Sequence, residues 1–195
     1  MSINVIEEPV TVLGEYAGIP IAFEVREVFD VVVEAGGHVR LEARQVPVSY
    51  MKDYDGLGES PMRWAERFDL SNWAFFSAFT GARCVGRAAI ARDTPTLEML
   101  EGRQDLALLW DIRVAPSARR HGVGSALFDT GIKWASSRGC VQLKVETQNI
   151  NVAACRFYAQ RGCVIRTVRP GAYPALPAEI QLLWFKELGP QSEAG

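Results

Sequence analysis
Residues 108–140 read LLWDIRVAPSARRHGVGSALFDTGIKWASSRGC, and the fold turns on their order: strand, loop, helix. The run Leu106 to Val114 is apolar and β-branched enough for a buried strand. Pro116 stops it, because proline has no N–H for a ladder. Arg119-Arg120-His121-Gly122-Val123-Gly124 fills the loop. Apolar residues then recur at Val123, Ala126, Leu127 and Trp134, a spacing that puts one stripe of a helix against a core. Gly139 is a natural stop.

Such a loop suits an anion. The first N–H groups of a helix have no internal partner and point outward, so its start favours negative charge. Gly122 and Gly124 carry no side chain to keep phosphate oxygens from the backbone, and Arg119 and Arg120 add charge. The other reading is a basic loop whose glycines only tighten a turn. Two familiar phosphate loops fit poorly. No Gly-Lys-Ser/Thr occurs, as a P-loop needs. A dinucleotide fingerprint needs a third glycine, and Leu127 stands at that position.

Arg119-x-x-Gly122-x-Gly124, just after Val114-Ala115-Pro116, resembles the acetyl-CoA motif of the GNAT N-acetyltransferases, Q/R-x-x-G-x-G/A. A second block, Asn151-x-x-Ala154-x-x-x-Tyr158-x-x-x-Gly162, follows the predicted strand Leu143 to Thr147 at that family's spacing. Three further stretches are similar to the streptothricin (nourseothricin) acetyltransferases of that superfamily. They are FEVREVFDV from Phe23, YMKDYD from Tyr50 and KVETQNINVAACRFYAQRG from Lys144; Tyr173 and Glu179 also fall where those enzymes have Tyr and Glu. The sequence departs from them too. Trp110 stands where many relatives carry a strand glutamate, with only Asp111 beside it. Residues 55–69 are less acidic, the Arg92 to Asp105 connection looks longer, and Cys163 replaces a usual Phe.

The resemblance implies a single-domain α/β (α+β) fold over residues 1–188, with a disordered tail at 189–195. It implies a mixed, mostly antiparallel central sheet with helices on both faces and a gap where strand 110–114 splays from strand 143–147. It further implies acetyl-CoA as co-substrate, with backbone groups of Ile112 and Val114 pairing with the pantetheine arm. The Arg119 motif and the N–H groups of Arg120, Gly122, Val123, Gly124 and Ser125 would hold the pyrophosphate. Asn151 would bond the pantetheine arm.

The reaction would be attack of an amine on a thioester. A lysine-like amine, with a pKa of about 10.4, is mostly protonated at neutral pH, so a base must take its proton. Glu146, on the splayed strand, is the first candidate and Asp111 the second. Glu146 can also be a plain solvated strand residue, and Asp111 a structural one if it faces the other side of the sheet. Tyr158 sits at the family's thiolate-facing position, and a phenol can return a proton to sulfur. Its other reading is a core tyrosine beside Phe157. Glu27, Asp30, Glu146, Tyr173 and Glu179 would line a pocket for a cation. His121 reads as an exposed loop residue on the phosphate side.

Elsewhere the pattern is β-rich. Ile3 to Glu7 reads as an edge strand, and Ala22 to Glu34 with Val39 to Val46 as a hairpin around Gly36-Gly37. Tyr50 to Gly58 reads as polar turn, and Ser60-Pro61 as the cap of a helix over Met62 to Phe68. Trp73 to Phe79 and Cys84 to Ala91 form a second hairpin, and the Arg92 to Asp105 connection carries one helical turn. Asn151 to Arg161 is a helix, followed by closing strands near Val164 to Arg169 and Glu179 to Phe185. With 195 residues, 48% of them hydrophobic, and a formal net charge of −2, the chain has no basic surplus for nucleic acid. The N-terminus lacks the order of a signal peptide, and no apolar run is long enough for a bilayer. Four cysteines without metal spacing suit a reducing cytoplasm, each as a small core residue, and no metal is expected.

The expected function is therefore transfer of acetyl from acetyl-CoA to a primary amine of a small cationic molecule, in a ternary complex. A streptothricin-type antibiotic is one such substrate, which would make the enzyme a resistance factor. The expected assembly is a monomer or homodimer in the cytoplasm, with no nucleic-acid or membrane partner. Three alternatives stand beside it: a protein lysine or N-terminal acetyltransferase, a CoA-binding sensor or interaction module without chemistry, suggested by Trp110, and a plain nucleotide binder.

Overall fold
The computed structural model describes residues 2–58 and 60–189. Its regular elements are β1 (Asn4–Glu8), α1 (Leu13–Tyr16), β2 (Phe23–Val33), β3 (Val39–Lys52), α2 (Trp64–Arg67), β4 (Trp73–Thr80), β5 (Arg83–Arg92), β6 (Leu106–Val114), α3 (Val123–Ser137), β7 (Gln142–Gln148), α4 (Val152–Gln160), β8 (Val164–Pro170) and β9 (Ile180–Glu187). This is a mixed α/β fold with a mostly antiparallel sheet, as predicted. The tail expected at 189–195 lies, beyond Gly189, outside the described residues. Among the described residues no helix is long and apolar enough to cross a membrane.

The described chain divides into two compact units. One comprises residues 2–22, 53–58, 60–143 and 188–189; the other comprises Phe23–Lys52 and Lys144–Glu187. In the first, the strands run β1-β4-β5-β6, each pair antiparallel. Strand β5 is built from small residues, and Ala88, Ala89 and Ala91 are buried. On one side Leu13, Tyr16, Trp64, Trp73, Phe75 and Leu100 form an apolar cluster that includes Ala89 and Ala91. Helix α3 packs on β4, β5 and β6, burying Val123, Leu127, Phe128, Trp134 and Ala135; Ala126 is only half-buried. Gly139 has a positive φ of 79° just beyond α3, as its helix-stop reading requires.

In the second unit β2 and β3 form the hairpin predicted around Gly36-Gly37, both with positive φ. Val25, Val28 and Ile150 make its small core, with Phe23 and Val46 packed against them. Strands β7, β9 and β8 are neighbours in that order, and β8 and β9 are antiparallel.

Two sequence readings need correction. Tyr50, Met51 and Lys52 belong to β3 and pair with Val25, Glu24 and Phe23, so the expected turn starts only at Asp53. The helix expected over Met62 to Phe68 is a 3-10 turn, Pro61–Arg63, followed by the four-residue α2, and the Ser60 side chain caps neither. Trp64 and Phe68 are there spent on the aromatic cluster, which holds this short segment without a cap.

Candidate active site
In the first unit the loop after β6 delivers an open helix start. Gly122 sits at φ +84°, and no side chain caps α3. The helix ladder begins with Ala126 N donating to Gly122 O at 3.0 Å, so the amides before Ala126 have no intrahelical acceptor. Arg120 lies at φ +66°, a strained conformation for a residue with a side chain. These residues fit a diphosphate: outward amides, a glycine surface and an exposed cation at Arg120. Arg119 does different work. Its Nε donates to Val114 O at 3.2 Å and its Nη2 to Ala22 O at 3.0 Å, so it fixes the loop to neighbouring backbone. His121 is exposed, with Nδ1 2.8 Å from Arg119 O.

Gly86 on β5 sets how closely α3 approaches, and sequence reading missed it. A Cβ there would stand 2.7 Å from Val123 Cγ1 and 3.2 Å from Arg113 O.

Strand alternation puts Asp111 and Arg113 on one face of β6, and Ile112 and Val114 on the other. Both charged residues are buried. Arg113 donates Nε to Asp111 Oδ1 at 2.9 Å and Nη2 to Asp111 Oδ2 at 2.6 Å. Its Nη1 reaches Asp55 Oδ2 at 2.8 Å and Ile19 O at 3.2 Å. Tyr16 Oη donates to Asp111 Oδ1 at 3.0 Å. Burial would lower the Arg113 pKa, but the bonds and charge of Asp111, then Asp55, outweigh it and raise it. Burial, followed by the Asp111 charge, pushes the Tyr16 phenol up. Both Asp111 oxygens are thus engaged by Arg113.

Trp110 lies at the β-bulge where pairing skips from Ala89↔Asp111 to Ile90↔Leu109. Its ring meets Phe68 at 5.3 Å, Trp73 at 5.6 Å and Trp64 at 6.2 Å between centroids.

The second unit holds the other predicted carboxylates. Half-buried Glu146 on β7 accepts from Tyr173 Oη at 2.5 Å and from Gln148 Nε2 at 3.4 Å, both on Oε1. Gln148 Nε2 also donates to Tyr173 Oη at 3.0 Å. Burial first, then the Glu146 charge and hydrogen bond, push the Tyr173 phenol far above its ordinary value. Glu179, immediately before β9, is buried in an ion pair with Lys52. Burial, then the charge of Glu179, raises the pKa of Tyr50. Glu27 accepts both Nη groups of Arg156 on α4, at 2.6 and 3.1 Å. Asp30 is paired with Arg44 across the exposed hairpin, at 3.0 Å. The structure therefore brings Glu146 and Tyr173 together, and gives Glu27, Asp30 and Glu179 separate cationic partners.

Helix α4 carries the last two predicted residues. Asn151 is its N-cap, with Oδ1 accepting from Ala154 N at 3.1 Å. Tyr158 is buried, edge-on to Phe157 at 5.2 Å. Asn149 holds the surroundings of β7: its Nδ2 donates to Phe29 O at 3.0 Å, and its Oδ1 accepts from Ile180 N at 2.8 Å. Neither it nor Lys52, Gln148 or Arg156 was singled out from sequence, because each has a partner remote in the chain.

The profile of the Acetyltransferase (GNAT) family matches residues 43–163. The streptothricin acetyltransferase of Escherichia coli is 31% identical over 197 residues, covering 100% of both chains. Streptothricin acetyltransferase A of Bacillus subtilis (strain 168) is 34% identical over 114 residues, 57% of this chain; the match spans 61% of that relative's length. Among solved structures, a candidate streptothricin acetyltransferase from Bacillus anthracis str. Ames, in complex with acetyl coenzyme A, aligns with a TM-score of 0.77. It is 24% identical and covers 95% of this chain and 99% of its own, a likeness of fold.

Proposed function
From the premise that this chain belongs to the acetyltransferase (GNAT) family, we propose that it acetylates a primary amine of a small cationic molecule by direct attack in a ternary complex with acetyl-CoA. The substrate proposed is a streptothricin-type antibiotic, in keeping with the name of the full-length Escherichia coli relative. Residues 1–188 are taken as one catalytic domain, because the family match runs through segments of both units.

One observation carries the reading. Of the five carboxylates expected to serve the amine, Asp111, Glu27, Asp30 and Glu179 each have a cation of their own. Glu146 is held instead by a phenol and a carboxamide, both neutral. Its negative charge is left to attract a substrate ammonium and then to accept its proton, directly or through water. Asp111 in its ion pair is set aside as base.

When bound, acetyl-CoA supplies an activated thioester. The amides of Arg120, Gly122, Val123, Gly124 and Ser125 hold its diphosphate, and Arg119 keeps the loop in shape by its two carbonyl bonds. Ile112 and Val114 offer backbone groups to the pantetheine arm. Asn151 spends Oδ1 on the α4 cap, which leaves its NH2 to donate to that arm. Tyr158 returns a proton to the departing thiolate. Thiol release from acetyl-CoA across streptothricin, polyamines, lysine derivatives, aminoglycosides and lysine peptides tests the reading. Streptothricin should be turned over and peptides should not. Glu146→Gln should cut kcat at least about 100-fold while acetyl-CoA binding is kept. Wild-type turnover in that variant would remove Glu146 as the base.

A further inference from the structure
We propose that β3 is an interaction surface for a second copy of this chain. Its open edge pairs with the same strand of the copy, antiparallel, about a two-fold axis at Ala43. The proposal concerns assembly and stands independently of the acetylation reading.

Strands β2 and β3 form a sheet of their own, two strands wide, an arrangement of marginal stability by itself. The β2 edge is covered. Phe29 N donates to Asn149 O at 2.9 Å, and Phe29 O accepts from Asn149 Nδ2 at 3.0 Å. Phe29 therefore turns both backbone groups away from β3. Its partner across the ladder is Ala43. Ala43 then turns its own N–H and C=O away from β2, as Leu41 and Gln45 also do. The hairpin end agrees, since Glu34 N donates to His38 O at 2.8 Å, which places the bonded pairs of this stretch at even positions. Among the described residues the outward groups of Leu41, Ala43 and Gln45 have no partner. Ala43 is exposed although Phe29, opposite it, is buried.

Exposed edges are commonly blocked by proline, a bulge or charge. Strand β3 has the first two only in its second half: Pro47, and the bulge where pairing jumps from Glu27↔Gln45 to Val25↔Tyr50. Over Val39 to Gln45 the guard is charge alone, and Arg40, Glu42 and Arg44 alternate in sign. Alternation selects a register instead of forbidding pairing. With the axis at Ala43, Ala43 meets its own copy, Leu41 meets Gln45, and Glu42 faces Arg44 on both sides of the axis. Each outward pair exchanges two hydrogen bonds. An axis at Glu42 sets Glu42 against itself and Arg40 against Arg44, and an axis at Arg44 sets two copies of Arg44 together. Like charges directly opposite are destabilising. An axis at Leu41 drives Gln45 onto the Gly37 turn, and one at Gln45 puts Ala43 opposite Pro47, which has no N–H. Arg44 holds Asp30 through Nε and Nη2, so Nη1 remains to donate to a Glu42 carboxylate. The contact is self-complementary and closes at two copies, giving a sheet ordered β2-β3-β3-β2.

Sedimentation velocity on the full chain tests this. The wild type should run as a dimer at about 100 μM, where even a small interface is populated. Ala43→Pro deletes an outward N–H while the bonds to β2 stay, so it should run as a monomer with little change in melting temperature. Glu42→Arg puts arginine opposite Arg44 and should weaken the dimer at least about tenfold. A cross-link reads the register, even where the proline variant fails to fold. Two copies of Ala43 in a bonded pair have Cα atoms about 5.5 Å apart, within disulfide range. Ala43→Cys should therefore form a disulfide-linked dimer on mild oxidation. Leu41→Cys should not, because its copies stand more than about 13 Å apart, and the wild type with its own four cysteines is the control. A monomeric wild type overturns the proposal. So does a dimer that persists in Ala43→Pro, or an Ala43→Cys variant that links no better than Leu41→Cys.

Discussion

Replacing Gly86 by alanine tests whether β5 fixes, by close approach, the loop proposed to hold coenzyme A. The added methyl would lie 2.7 Å from Val123 Cγ1, 3.0 Å from Leu127 Cδ1 and 3.2 Å from Arg113 O. Favourable carbon contacts begin near ~3.5 Å, so the first turn of α3 must retreat by about 1 Å. Arg113 O is strand backbone, Val123 is β-branched with few rotamers, and only Leu127 can swing aside cheaply. Overpacking of this kind costs about 1–3 kcal/mol. In a chain of this size that lowers Tm by roughly 2–4 °C per kcal/mol. The same displacement moves the amides of Val123, Gly124 and Ser125. Losing the equivalent of one hydrogen bond to a charged phosphate, about 1.5 kcal/mol or more, weakens coenzyme A at least about tenfold. Thermal melts and calorimetry with coenzyme A measure both. The diagnostic arm is Val123→Ala in the Gly86→Ala background. It removes the clashing methyl and should restore affinity, with a coupling of about 1 kcal/mol or more in the double-mutant cycle. If Gly86→Ala leaves Tm and coenzyme A affinity unchanged, or if the cycle is additive, the approach of α3 to β5 does not set the loop.

Three other expectations concern separate parts of the molecule. Tyr158→Phe should lower kcat about 100-fold or more with substrate KM values nearly kept; unchanged thiol release would reduce Tyr158 to a core tyrosine. Arg113→Met strands Asp111 and Asp55 without their shared cation, and urea unfolding should show a loss of about 3–5 kcal/mol, with a smaller loss for Asp55→Asn. Burial pushes the thiols of Cys155 and Cys163 up to about 11. The folded state therefore keeps its protons where the unfolded chain has lost them. The stability from these thiols is complete below about pH 8.5 and drains away as pH rises towards the folded values. Urea midpoints measured from pH 8 to 11 should fall, and the fall should be shallower in Cys155→Ala/Cys163→Ala.

How far the site could be read from sequence depended on how local its signals are. Leu106 to Val114, Gly122 and the α4 start at Asn151 all announce themselves within a few residues, by strand composition, a turn glycine and a cap. Each was found where expected. Lys52 gave no such signal. In YMKDYD it reads as one more polar residue before a turn, yet it is buried on β3 because Glu179, 127 positions away, neutralises it. Arg119 shows a second long-range feature. A basic residue in a glycine loop suggests a phosphate ligand, but its hydrogen bonds go to two backbone carbonyls, one of them 97 residues earlier.

Charge pairing separates Glu146 from the other carboxylates, and most of it is written in long-range contacts. The sequence ranked Glu146 first and Asp111 second as base, with Glu27, Asp30 and Glu179 lining the pocket, but it could not show which were paired, because a carboxylate carries no local mark of its partner. Arg113 is two residues from Asp111 and on the same face of one strand, so that pairing was available to period-2 reasoning. Arg156 and Lys52 are far from Glu27 and Glu179 in the chain, and only the fold joins them. Trp110 completes the argument. The strand position where relatives often have a glutamate is here built into an aromatic cluster with Trp64, Phe68 and Trp73, an environment that would raise the energy of a bare carboxylate. With Asp111 neutralised beside it, β6 presents no uncompensated acid. On the reading proposed above, the negative charge for a cationic amine comes from another strand, and Glu146, whose hydrogen bonds come from the neutral Tyr173 and Gln148, is the residue proposed to supply it.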